Sequence, residues 1–79
     1  MFFGLVLGLG KDRTKLGKWI DNRGIKQEWL VQESGLNRNT VRLLCNDDEH
    51  MPTARTMQKI IKALRKVDPS IRAEKFWDL

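Results

Sequence analysis

The sequence predicts an all-α fold, a bundle of about five short helices. Three observations carry that expectation. Met57, Ile60, Ile61 and Leu64 recur at i, i+3, i+4 and i+7, the strongest apolar periodicity in the chain. Gly24, Gly35 and Pro69 punctuate the rest into pieces of helical length. No stretch makes a credible strand: Phe3, Leu5, Leu7 and Leu9 have a period of two, but the glycines between them weaken any strand there.

Residues 1–10 carry no charge and stand apart from the helical domain expected at 11–79. The segment is too short to span a bilayer. It also lacks the basic flank and small-residue cleavage site of a secretory signal. It can be a disordered tail, a cover over the bundle near Trp29 or Trp77, or a two-stranded ribbon with its copy in a dimer. In the last case Phe2 and Phe3 would meet the partner.

The first helix is expected over 12–22, with Leu16, Trp19 and Ile20 on one face and Gly24 as its stop. The second fits 26–33, with Leu30 and Val31 inward, and ends at Ser34-Gly35. The third begins after Leu36 with Asn37 as N-cap and runs to about Asn46. The Asn, Asp and Pro content of "NDDEHMPT" makes a loop, and Thr53 caps the fourth helix. Asp68-Pro69-Ser70 ends it and starts a last short helix over 71–77, where Phe76 and Trp77 dock.

With 79 residues the chain has room for one small domain, whose marginal core would gain from dimerisation. Fifteen Lys and Arg against ten Asp and Glu give a net charge of +5, which favours an anionic partner such as nucleic acid or a membrane surface. One cysteine, Cys45, cannot form a disulfide within the chain, so a reducing cytoplasm is the easier home. Cys45 reads as a semi-buried bystander. One cysteine and one histidine, His50, cannot build a structural zinc site. Ser34 and Ser70 have no histidine nearby, and paired carboxylates occur only in the loop. No nucleophile, base and oxyanion set emerges, so neither an enzyme nor a cofactor is expected.

The stretch with chemical content is "GLNRNTVRLLCN" at 35–46. Leu36, Val41 and Leu44 share one helical face. Arg38, Asn39, Thr40 and Arg42 occupy the other, with no acid among them. Two short helices joined through a glycine turn make a helix-turn-helix when the second can lie in a major groove. Arg offers a two-pronged donor fork to guanine, and Asn pairs with adenine in two bonds. Leu43, one turn on from Asn39, suits a thymine methyl. Gln27 and Thr40 suit phosphate oxygens, and Lys18 and Arg23 add charge at the rim.

Across 16–67, "GIKQEWLVQESGLNRNTVRLLCN", a Pro-containing loop and "TMQKIIKALRKV" resemble the phage Cro and repressor family of XRE-type regulators. The resemblance implies a lambda-repressor-like domain acting as a homodimer on double-stranded DNA, and a transcriptional repressor of phage or mobile-element type. It implies base reading by Arg38, Asn39 and Arg42. It places Gln27 at a phosphate-contacting helix start, and Asn46, Thr53 and Arg55 on the backbone; Asn37 and Thr40 complete that set. The chain departs from the family at Val31, where a small residue is usual. It departs again at Trp29, in an exposed polar position, and at Asp47 to Glu49, three acids just past the reading helix that should point away from DNA. Trp29, Phe76 and Trp77 are candidate partner contacts. They keep two rivals open, a protein-interaction adaptor and the antitoxin of a toxin–antitoxin pair. No membrane partner is expected.

Overall fold

A computed structural model describes residues 13–78. Within them the chain forms α1 (Lys15–Asn22), α2 (Gln27–Ser34), α3 (Arg38–Asn46) and α4 (Ala54–Leu64), then a single 3-10 turn at Ala73–Lys75. The described residues contain no strand. The apolar segment at 1–10, with Phe2 and Phe3, lies outside the described residues.

The first helix begins at Lys15, later than its expected start at 12, because Thr14 ends the extended backbone and caps it. The Thr14 hydroxyl accepts from the Gly17 N–H at 3.0 Å and donates to the Leu44 carbonyl at 2.7 Å. The Thr14 N–H donates to the Cys45 carbonyl at 3.0 Å. The last carbonyls of a helix have no partner within it, so the start of α1 satisfies the end of α3. Thr14 is only 8% exposed. Thr14→Val keeps the shape and removes both hydroxyl bonds. We expect it to cost about 1–2 kcal/mol in urea denaturation, with Thr14→Ser recovering most of the loss. A valine variant as stable as the parent would refute this double cap.

Gly17 sits one turn further on, where α1 crosses α3. A Cβ at this position would overlap the Cys45 carbonyl oxygen, so the helices approach at a distance only glycine permits. The turn between α2 and α3, by contrast, is local in origin. Gly35 adopts φ +73°, the left-handed conformation expected of it, and its N–H closes on the Val31 carbonyl at 3.0 Å. Ser34 donates to the Leu30 carbonyl at 2.6 Å and accepts from the Leu36 N–H at 3.2 Å. These bonds close α2 at Ser34-Gly35, where its end is expected. The helix starts at Gln27, since Lys26 has extended backbone.

Leu16, Ile20, Leu30, Val41, Leu44, Ile60 and Leu64 are buried together, so all four helices share one core. Met57, expected inside with Ile60, Ile61 and Leu64, is only half-buried. The fifth expected helix, over 71–77, is instead the one 3-10 turn. Asp68 accepts from the Ser70 N–H and hydroxyl at 3.0 and 2.7 Å, which bends the chain locally and holds the carboxyl below its usual range. Ile71 and Phe76 then anchor the segment in the core. So few residues between two anchors cannot repay the nucleation of an α-helix. Phe76 packs edge-to-face on Trp19, with ring centroids 6.1 Å apart. The Trp19 indole N–H is buried without a partner among the described residues, a cost of about 1–3 kcal/mol set against the burial of the ring. No helix among the described residues is long and apolar enough to cross a membrane.

Cys45 is fully buried, deeper than expected, and burial pushes its thiol from the ordinary 9.0 up to about 11. Between those values the unfolded chain binds fewer protons than the folded one. Stability therefore falls as pH rises from about 9 to about 11, by about 1.4 kcal/mol per pH unit. Cys45→Ala should flatten that part of a stability–pH profile measured by urea denaturation. An unchanged slope would show that the thiol titrates alike in both states.

Candidate nucleic-acid interface

Helix α3 is held by one side and presented by the other. Val41, Leu44 and Cys45 are buried against α1 and α2. Arg38, Asn39 and Arg42 are exposed, and Thr40 and Leu43 are half-buried beside them. Asn37 caps the helix as expected, its side chain accepting from the Asn39 N–H at 2.7 Å. That bond uses the Asn37 oxygen, and its NH2 has no acceptor among the described residues. Arg42 donates to Asn39 Oδ1 at 2.5 Å, so the two candidate reading residues meet before any partner arrives.

The face is acid-free along its own helix but not in space. Arg38 forks onto Glu28 of α2, with Nε 3.1 Å and Nη2 2.6 Å from Oε1, and Nη2 2.8 Å from Oε2. The pair lies in solvent, the Arg38 side chain being 71% exposed. Ten residues separate the partners, so reading α3 alone missed Glu28. The signal was the glutamate at the second position of the preceding helix, beside a turn short enough to bring the two helix starts together.

A second residue missed from the sequence, Arg13, joins three helices. It donates to Asp21 of α1, to Gln27 at the start of α2 at 2.9 Å, and to Asn46 at the end of α3 at 2.7 Å. Gln27 and Asn46, assigned to the backbone set separately, are thereby brought together. No pattern announced this, because Arg13 precedes the first helix and its partners lie 8, 14 and 33 residues away.

No family model, curated protein or solved structure matches this chain. The remaining candidates fall elsewhere in the fold. Thr53 caps α4 by accepting from the Thr56 N–H at 3.2 Å, and Arg55 is exposed in the same turn. Among the described residues neither bonds to α3. Arg23 does not supply charge at the rim: its guanidinium lies 3.9 Å over the Trp19 ring and 3.9 Å from Asp68. Phe76 is a core residue and not a partner contact, being 8% exposed. Trp29 and Trp77 are half-buried against the core, which corrects the expectation of an exposed Trp29. Asp47, Asp48 and Glu49 are exposed. Asp48 borders a depression with Lys15, Lys18 and His50, so cations of α1 lie beside the acidic loop.

The exposed α3 side thus carries two guanidinium forks and two primary amides. The guanidinium forks can only donate to base edges, whereas the amides can both donate and accept.

Proposed function

We propose that the protein is a sequence-specific, DNA-binding transcriptional repressor of the Cro and repressor type. In this reading α2, the Gly35 turn and α3 form a helix-turn-helix whose second helix enters the major groove. Arg38, Asn39, Arg42 and Leu43 face base edges. Gln27, Asn37, Thr40 and Asn46 meet the backbone, with Thr53 and Arg55 further out. The observation that carries it is the two-sidedness of α3. Arg38, Asn39 and Arg42 stand exposed on a helix whose opposite side is locked into the core.

The Arg38–Glu28 pair must open for Arg38 to reach a base. An exposed pair is worth about 0–1 kcal/mol, whereas a good two-bond contact to a base discriminates by about 1–3 kcal/mol, so opening is affordable. A homodimer places two reading helices about 34 Å apart, one turn of duplex, on a pseudo-palindromic site.

Selection of bound sequences from random duplex DNA tests the proposal. The expected product is an enriched inverted repeat. Its affinity, measured by mobility shift, should fall with salt by about 0.9 log units per log unit for each phosphate contact. No enrichment, with salt-independent binding, would sink it.

One observation favours a different reading, a protein-interaction adaptor. A groove of about 720 Å³ runs between α4 and the C-terminal turn, with Ala54, Met57, Ile61 and Ala73 among its lining. An adaptor would bind its partner through that groove and show no steep salt dependence towards DNA.

A further inference from the structure

Arg13 uses every donor it has. Its Nε and Nη2 hold the two Asp21 carboxylate oxygens at 3.0 and 2.8 Å, and Nη2 also reaches the Gly17 carbonyl at 3.4 Å. Its Nη1 holds Gln27 Oε1 at 2.9 Å and Asn46 Oδ1 at 2.7 Å. A guanidinium has five N–H donors, and five acceptors are filled here. The side chain is 20% exposed and its charge is balanced by Asp21. Arg13 therefore has no donor left for a phosphate.

What Arg13 controls is the orientation of two amides. A primary amide carries an acceptor oxygen on one side and a donor NH2 on the other. Phosphate oxygens only accept, so only the NH2 side binds them. Arg13 draws both amide oxygens towards itself, which turns the NH2 groups away from it. Asn46 gives one of its two protons to the Arg42 carbonyl at 2.9 Å and keeps the second. The NH2 of half-buried Gln27 has no acceptor among the described residues.

The geometry points to Arg13 as a positioning residue that sets the Gln27 and Asn46 amides with their donors towards the DNA backbone. The inference rests on the DNA-binding reading. It adds that the phosphate contacts at the two ends of the α2–α3 unit are set by one residue outside that unit. Without Arg13 nothing holds the Gln27 oxygen, and Asn46 keeps only its bond to the Arg42 carbonyl, so either amide can turn its oxygen to a phosphate.

The test uses the full chain with Arg13→Lys, Gln27→Ala, Asn46→Ala and the double variant Arg13→Lys/Gln27→Ala. Nitrogen-15 spectra follow the side-chain amides. A labelled random-sequence duplex, titrated at several potassium chloride concentrations, reports backbone binding. Arg13→Lys keeps the cation and loses the fork. We expect its Gln27 and Asn46 NH2 signals to move to free-amide positions and its affinity to fall roughly tenfold, two hydrogen bonds being at stake. The salt slope should stay unchanged, because no phosphate-bound cation is removed. Gln27→Ala should cost less in the Arg13→Lys background than in the native chain.

Unmoved amide signals would overturn the proposal. So would independent, multiplying losses, or a slope shallower by about 0.9, which would mean direct phosphate contact by Arg13. Should Arg13→Lys fail to fold, Gln27→Ala and Asn46→Ala leave Arg13 anchored on Asp21 and carry the test. Unchanged affinity in both overturns it. Absence of salt-dependent binding by the native chain defeats the DNA reading itself and the phosphate role with it. The amide signals still report separately on whether Arg13 orients the pair.

Discussion

Gly17→Ala is expected to unfold the domain at ordinary temperature or bring it close to unfolding. Two effects oppose each other at this position. Alanine is the better helix former, by about 1 kcal/mol in a helix interior. Against that, its methyl would overlap the Cys45 carbonyl oxygen, a backbone atom with no rotamer to escape into. Relief requires α1 and α3 to separate, and two bonds resist: Thr14 to the Leu44 carbonyl at 2.7 Å and to the Cys45 carbonyl at 3.0 Å. Overpacking costs about 1–3 kcal/mol and occasionally more. Each strained cap bond adds about 1 kcal/mol. A domain of this size is stable by few kcal/mol, and each lost kcal/mol lowers its Tm by about 4–8 °C. Thermal denaturation followed by circular dichroism should show a fall of more than about 10 °C. A Tm at or above that of the parent would mean that helix propensity wins and the close approach is not real.

Arg42→Ala and Arg38→Ala are expected to weaken binding to a selected site by roughly tenfold to a hundredfold, from the loss of one two-bond base contact each. Lys62→Ala, an exposed cation on α4, should change affinity by no more than about twofold. The two arginines differ in what each leaves behind. Removing Arg42 frees Asn39 Oδ1, a neutral acceptor. Removing Arg38 leaves the Glu28 carboxylate unpaired beside α3, where on the proposed DNA-binding reading it would repel phosphate. Part of the Arg38→Ala loss is therefore repulsion, and Glu28→Gln separates the parts. Glu28→Gln alone frees Arg38 and removes a negative charge, so binding should tighten severalfold. In the double variant Arg38→Ala/Glu28→Gln, the residual loss reports the contact itself. Equal losses for Arg38, Arg42 and Lys62 would mean that α3 does not read DNA.

The parts of the fold that the sequence announced depend on residues within one helical turn of each other. Asn37 and Thr53 cap α3 and α4 because each side chain reaches an N–H two or three positions ahead. Gly35 takes positive φ because the turn demands it. The apolar periods of α1 and α3 place Leu16, Trp19, Ile20, Val41 and Leu44 inward. The errors arose where two elements decide together. The start of α1 depends on a hydroxyl shared with α3. The last segment follows its anchors at Ile71 and Phe76 and stays a single turn. Arg23 could not be assigned to a rim before the Trp19 face that holds it was in place.

Spacing along the chain was enough for four helices, most of their inward faces and the outward set Arg38, Asn39 and Arg42, because capping, turn geometry and periodicity act between neighbours. Packing alone determined that Glu28 holds Arg38, that Arg13 gathers Gln27 and Asn46, that Phe76 is core, and that Gly17 admits α3. Those contacts join residues 10 to 57 positions apart. They exist only once the helices have been oriented by the core they share, and no local pattern encodes that orientation.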